Sequence, residues 1–446
     1  MELLISAVPI FLFGAGAYYI IKLKGFFIIH PKKTFSALFV RRGSGSVSPA
    51  RALSMALAGT LGVGNIVGVA SALYLGGAGA IFWMVLSAIV AMVLKYAEIV
   101  LAVRYREAGE DGVPVGGAPF YIKVCFNKIG LNRLGAVLAA LFSLLCVFNA
   151  LTMGNILQVN SVAGAFEEAF GVPRLLCGVV LALFCAVVMV GGAKGIANLT
   201  AKLVPLITVL FVILCLAVVI ARRERLGDAV YSIFSDALGF DSAAGGVLGY
   251  LLSGGFLRSS GLRYGTMRGL LSNEAGCGTA PIAHATADTD SPAAQGVFGL
   301  VEVFVDTVLM CTLTALAILV SDAGFGGGYM AFGDNSMQCV QAAFSSVLGE
   351  WASGFLAVAV LLFGVATVLC QSHYGMTCVR YLSNSKPARV TYTAVFCGVI
   401  VVGAMAATGS VFALGDIALA LMTYINLAVL IMMGKEVGRE TDLLIK

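Results

Sequence analysis

The chain has 446 residues, of which 60% are hydrophobic and 11% charged, with a mean hydropathy of +0.98. A soluble globular domain carries about 25% charged residues, so this composition excludes one and describes an all-α polytopic membrane protein. The net charge of +5 marks no nucleic-acid partner; its meaning lies in where the charges fall.

A bilayer-crossing helix needs roughly 20 apolar residues. Eleven candidate spans follow in chain order: 3–21, 51–75, 79–103, 134–164, 173–192, 202–221, 244–264, 294–320, 351–380, 390–408 and 412–434. The first has no basic segment before it and no cleavage-like site after it, and reads as a retained helix rather than a signal peptide. The linker that follows carries Lys22, Lys24, Lys32, Lys33, Arg41, Arg42 and Arg51. The positive-inside rule makes that linker cytoplasmic, with the N-terminus outside. Alternation then places the basic stretches 104–133, 194–202, 263–268 and 380–389 and the C-terminus inside, and the Lys- and Arg-free loop 322–350 outside. Arg222, Arg223 and Arg225 are the exception, in a loop expected outside.

The second span holds the most informative segment. No charge occurs from Ala52 to Leu94, yet Gly59, Gly62, Gly64 and Gly68 fall within ten residues, together with Thr60 and Asn65. Glycine costs about 1 kcal/mol relative to alanine inside a helix. Broken backbone at membrane depth is tolerated only where it is buried in protein or lines a cavity. The carbonyls released at such a break attract a cation, and the N–H groups attract a carboxylate. The competing reading is a small-residue packing face, since Gly64 and Gly68 have Gly-x-x-x-Gly spacing.

Further along, Lys95 and Glu98 are spaced i,i+3 and read as an ion pair. Asn155, Gln158 and Asn160 in the 134–164 span face the bundle interior or act as interhelical glue. Gly254-Gly255 breaks the 244–264 span, which Arg258 and Arg263 also interrupt. Glu302 and Asp306, one turn apart in the 294–320 span, read as a salt-bridge anchor with a proton relay as the alternative. Thr367 offers a hydroxyl to sodium, or bonds the carbonyl four residues back. His373 reads as a satisfied buried histidine.

The two glycine-broken spans are five helices apart, as are the long spans 134–164 and 351–380. Paired interrupted helices point to an inverted-repeat transporter with a midplane site. The expected division is an N-terminal helix and basic linker (1–50), two five-helix repeats (51–222 and 223–434) and a cytoplasmic tail (435–446). The eleven cysteines are scattered through apolar runs without Cys-x-x-Cys spacing and read as packing residues. His30, His284 and His373 are far apart, so no acid/base or metal constellation assembles an embedded enzyme. An ion channel remains the other competing class.

Several stretches together resemble the alanine/glycine:cation (sodium:alanine) symporter family: Gly59-Thr60-Leu61-Gly62-Val63-Gly64-Asn65-Ile66, Lys95-Tyr96-Ala97-Glu98, residues 154–161, Lys202-Leu203-Val204-Pro205, residues 268–276, Asp306-Thr307 and Cys311-Thr312. The resemblance covers nearly the whole chain after the first helix. It implies sodium-driven uptake of a small neutral amino acid, on a leucine-transporter-type 5+5 fold of the APC superfamily in the plasma membrane. It implies sodium as coupling ion, with proton coupling as the alternative, and no organic cofactor or obligate protein partner. The substrate pocket it implies uses Thr60, Gly62, Val63, Gly64, Asn65, Gln158, Gly255, Phe256 and Gln371, with sodium at Gly59, Val63 and Thr367. Lys95, Glu98, Asn273, Glu274 and Asp306 take gating or structural roles. The chain departs from the family pattern at Val63, where a second threonine is usual, and at Ala366-Thr367, where Ser-Thr is usual. Residues 370–377 replace Gly-Trp-Ser-Tyr-Tyr-Gly-Glu-Arg, so Gln371 stands in place of a tryptophan. A carboxamide frees space and adds a donor and an acceptor, so the expected cargo is alanine- or glycine-like, or bulkier or more polar.

Overall fold

The computed structural model describes residues 2–39, 47–109, 112–239, 260–406 and 408–445. The regular elements among the described residues are all helices, with one isolated bridge, Glu107–Val115. Among the described residues, eight helices are long and apolar enough to cross a membrane: Leu4–Lys22, Gly79–Arg104, Asn132–Phe170, Gly192–Ala221, Pro292–Val320, Trp351–Leu382, Lys386–Met405 and Val411–Met432. Arg174–Val190 is a shorter apolar helix. Pro49–Thr60 and Val67–Gly76 are two half-helices that share one expected span.

Gly79–Arg104 forms the centre of the bundle, and 72% of its most apolar window is buried. Small residues allow its neighbours to come close. A Cβ on Gly265 would lie 2.2 Å from the Ala80 carbonyl oxygen, and one on Gly299 would lie 2.4 Å from Ile99. In a membrane, where lipid competes with apolar packing, such close backbone approach is what holds helices together. The outermost helices show the opposite pattern. Arg174–Val190 presents Leu183, Val187 and Val190 outward, and Lys386–Met405 has only 28% of its window buried.

The expected break at Gly254–Gly255 and the start of the 244–264 span lie outside the described residues. The described helix here is Ser260–Asn273, which runs past the expected end of that span. Among the described residues this segment breaks between Asn273 and the short helix Pro281–Ala285. Glu274, Gly276 and Gly278 all take left-handed φ values of 52°, 96° and 85°. Three such residues within five positions cannot continue a right-handed helix.

The two broken segments lie side by side and run antiparallel. Gly76 approaches Gly261, and Gly64 approaches Ser272, with added Cβ atoms at 3.1 and 3.6 Å from the facing Cα atoms. The Asn132–Phe170 and Pro292–Val320 helices each widen into a π-helical stretch, Thr152–Ile156 and Phe304–Cys311. π-Bulges of this kind recur at functional sites.

Charge pairs sort the loops into two faces. On one face Arg222 binds Asp322 at 3.1 and 2.6 Å, and Arg225 binds it at 2.7 Å. These are the arginines that disagreed with the charge rule, and their partner belongs to the acidic loop. Hydrogen bonding from Arg222, then from Arg225, holds the Asp322 carboxyl below its usual range. On the opposite face Arg104 binds Glu440, Lys128 binds Glu436, and Arg106 holds the carbonyls of Ala285 and Thr289 at 3.2 and 2.8 Å.

Candidate functional site

The first break diverts the N–H groups that would continue the helix. Gly62 N–H bonds the Thr60 carbonyl at 2.8 Å and the Asn65 Oδ1 at 3.0 Å, and Val63 N–H bonds Gln158 Oε1 at 2.9 Å. The carbonyls of Ala58 and Gly59 therefore lose their partners four residues on, leaving helix-end acceptors at membrane depth. Gly62 is required by space: an added Cβ would lie 2.6 Å from Thr367 Oγ1 and 2.8 Å from Gln158 Oε1.

Thr367 Oγ1 donates to the Phe363 carbonyl at 3.0 Å. That is the backbone bond four residues back, and the hydroxyl oxygen that makes it lies beside Gly62. Gln158 also donates to the Met153 carbonyl at 3.1 Å, inside the π-helical stretch. The other two amides of that helix do not reach the break. Asn155 bonds the Phe396 carbonyl at 2.9 Å, and Asn160 bonds carbonyls of Gly403 and Ala406 at 3.1 and 2.7 Å.

The second break brings Glu274 to the same place. Its carboxylate accepts from Thr279 Oγ1 at 2.6 Å and from Gln371 Nε2 at 2.5 Å. Asn273 Oδ1 accepts from Ala275 N–H at 2.9 Å, and its amide donates to Thr307 Oγ1 at 3.1 Å. Asn273 thus fixes the turn from behind while Glu274 faces inward.

A small cavity of about 20 Å³, the size of a single water, lies between these elements. Gly59, Thr60, Gly62, Gly64, Gln158, Thr367 and Gln371 line it, all expected from sequence. So do Glu274, expected in a gating or structural role, and Asn149, Gly154 and Leu271, which sequence reading missed. Gln371 Oε1 and Asn149 Oδ1 are buried acceptors without a hydrogen-bond partner among the described residues. Such orphaned acceptors are rare unless something else binds them.

Val63 and Asn65 do not line the cavity. Val63 contributes its backbone to Gln158, and its side chain lies toward Gly364. Asn65 ties the two breaks together. Its amide donates to Ser272 Oγ at 3.0 Å and to Asp306 Oδ1 at 2.8 Å. Ser272 Oγ and Thr307 Oγ1 donate to Asp306 Oδ2 at 2.8 and 2.6 Å. Gly255 and Phe256 lie outside the described residues.

The Lys95–Glu98 pair does not form. Lys95 binds Glu302 Oε1 at 3.3 Å instead, and Glu302 Oε2 meets His284 Nε2 at 2.8 Å. His284 Nδ1 contacts Gln295 at 2.8 Å. All four side chains are buried. An i,i+3 spacing puts Lys95 and Glu98 on neighbouring turns, but a bundle can aim each at a different helix. Glu98 accepts from Asn426 at 2.5 Å, and Asn426 also donates to the Gly276 carbonyl of the second break at 2.9 Å. The salt-bridge role read for Glu302 therefore applies to Glu302, and Asp306 has no cationic partner among the described residues.

His373 is not a satisfied histidine. Its Nε2 has no partner among the described residues, and it lines a second cavity of about 320 Å³ with Lys194, Ser372 and Arg380. That cavity opens beside Gly109 and Gly191 and reaches Ser372, the neighbour of Gln371.

The sequence model of the sodium:alanine symporter family matches residues 2–443. A probable sodium/glutamine symporter of Bacillus subtilis, GlnT, is 36% identical over 431 residues, covering 96% of this chain and 85% of the relative. The sodium/alanine symporter AgcS of Methanococcus maripaludis is 35% identical over 440 residues, covering 97% and 92%. The amino-acid carrier protein AlsT of Bacillus subtilis is 33% identical over 395 residues, covering 88% and 79%. These relatives are transporters rather than enzymes, and they match this chain through both breaks. The chain therefore belongs to the sodium:alanine symporter family, as an integral membrane protein of sodium-coupled amino-acid transport.

Proposed function

We propose that the protein carries a small neutral amino acid into the cell together with sodium, through the cavity between the two breaks. The observation that carries this reading is the diversion of the Gly62 and Val63 N–H groups. It leaves the carbonyls near Gly59 free for a cation beside the Thr367 hydroxyl. Sodium is a hard cation that takes oxygen ligands, and this corner supplies carbonyl and hydroxyl oxygens. The cargo's carboxylate takes the backbone N–H of Gly64, since those of Gly62 and Val63 are bound to Asn65 and Gln158, and Gln158 and Thr60 shape the cavity beside it. The antiparallel breaks support a 5+5 inverted repeat over 51–222 and 223–434, after one N-terminal helix. The charge pattern supports a plasma-membrane protein with the N-terminus outside.

The cargo is neutral, alanine- or glycine-like or somewhat bulkier and more polar. Gln371 Oε1 and Asn149 Oδ1 favour a side chain that donates, and a buried amide left unpaired costs about 1–3 kcal/mol. The test is uptake of labelled amino acids by proteoliposomes under an imposed sodium or proton gradient. Accumulation under a sodium gradient alone supports the reading, and no accumulation under either gradient refutes it. Competition then ranks the cargo: if glycine and alanine displace the label better than serine, threonine, asparagine and glutamine, the more polar cargo is wrong.

A further inference from the structure

The helix Gly434–Ile445 carries opposite charges on two faces. Glu436 and Glu440, one turn apart, turn inward to Lys128, Tyr105 and Arg104. Lys435 and Arg439, also one turn apart, stay exposed on the other side. They face the end of the first helix, where Lys22 and Lys24 project. These four cations line an open cavity of about 700 Å³, in which Asp442 is the only carboxylate among the lining residues. None of the four has an ion-pair partner among the described residues.

Like charges gathered around one cavity repel one another unless an anion sits between them. The backbone is turned to make this grouping. Lys24 takes a left-handed φ of 52°, followed by Gly25 at 56°, and this conformation is uncommon for a lysine. Beside the cations lies an apolar ledge: Ile29, which lines the cavity, is 63% exposed, and Ile21 and Ile28, next in the chain to Lys22 and Ile29, are 77% and 72% exposed. Cations at the rim of a membrane helix beside exposed apolar side chains are the chemistry of an interface that takes a phosphate and its acyl chains together.

We infer that this cavity binds the headgroup of an anionic phospholipid from the surrounding bilayer, which bridges the first helix and the C-terminal helix. Free phosphate shares the charge chemistry, but the apolar ledge has no use for it. The test titrates the purified full-length protein, in neutral detergent, with short-chain phosphatidylglycerol, short-chain phosphatidylcholine and inorganic phosphate, and reads bound adducts by native mass spectrometry. Phosphatidylglycerol is expected to bind where the other two do not. Lys24→Gln and Arg439→Gln are each expected to weaken that binding about fivefold, the factor for one cation near an anionic lipid. Lys32→Gln, exposed but outside the cavity, is expected to leave it unchanged. Equal binding of phosphatidylcholine, equal binding of phosphate, or an equal loss in Lys32→Gln each overturns the inference. Lys435→Gln gives the same reading should either variant fail to purify.

Discussion

At the scale of single residues, the proposed ion and cargo sites rest on Thr367 and Gln371. Thr367 has no hydroxyl neighbour, because residue 366 is alanine, so one side-chain oxygen is left to join backbone carbonyls at the proposed sodium position. Thr367→Val keeps the shape and removes the oxygen. The expected outcome is a higher sodium concentration for half-maximal uptake in a folded protein; an unchanged sodium dependence refutes the assignment. Gln371 packs on Gly154, where an added Cβ would lie 2.6 Å from its side chain. Gly154→Ala therefore overpacks the cavity, at about 1–3 kcal/mol, and is expected to weaken cargo affinity measured by competition. Gln371→Trp is expected to shift preference toward alanine, since it removes the orphaned acceptor. Most of these cavity residues were legible in the sequence because polar groups inside an apolar span are conspicuous. Asn149 and Leu271 were not: they lie in ordinary helix, and only the approach of other helices brings them to the site.

At the scale of elements, the two breaks differ in how openly the sequence declares them. The first lies in the middle of a charge-free apolar span, so four glycines and an asparagine stand out. The break expected at Gly254–Gly255 lies outside the described residues. The second described break, at Asn273-Glu274-Ala275-Gly276, is polar enough to pass for a connecting loop. Its signal is the pair Gly276 and Gly278, both left-handed. The π-helical stretches at Thr152–Ile156 and Phe304–Cys311 leave no mark in composition, because a π-bulge needs no particular residue. The ionic chain of Lys95, Glu302 and His284 links the central helix to the segments flanking the second break. Removing one partner of a buried pair costs about 3–5 kcal/mol, whereas replacing both by apolar residues is often neutral. Glu302→Gln is thus expected to lower the thermal unfolding midpoint of the detergent-purified protein, and Lys95→Met with Glu302→Met to recover part of it. Recovery in the double variant would assign the pair to folding; stability unchanged in Glu302→Gln would show that the pair holds nothing.

At the scale of the whole molecule, the charge pairs turn a counting rule into a geometric one. The positive-inside rule had one exception, the arginines at 222–225. Arg222 and Arg225 are bound by Asp322, whose loop carries no lysine or arginine. Their charge is matched locally, so they exert little net pull on orientation, whereas Lys22, Lys24, Lys435 and Arg439 on the other face are unmatched by any described ion pair. The unmatched face is therefore expected to be cytoplasmic. Single cysteines can check this, because ten of the native cysteines are buried and only Cys397 is half-exposed. In a Cys397→Ser background, Asp334→Cys reports on the acidic loop and Lys386→Cys on the basic side, and both positions are exposed. A membrane-impermeant maleimide is expected to label Asp334→Cys in intact cells, and Lys386→Cys only after the membrane is opened. The reverse pattern would invert the molecule. Sodium would then descend its gradient through the opposite mouth, and the 320 Å³ cavity lined by His373 and Arg380 would open to the outside instead of the cytoplasm.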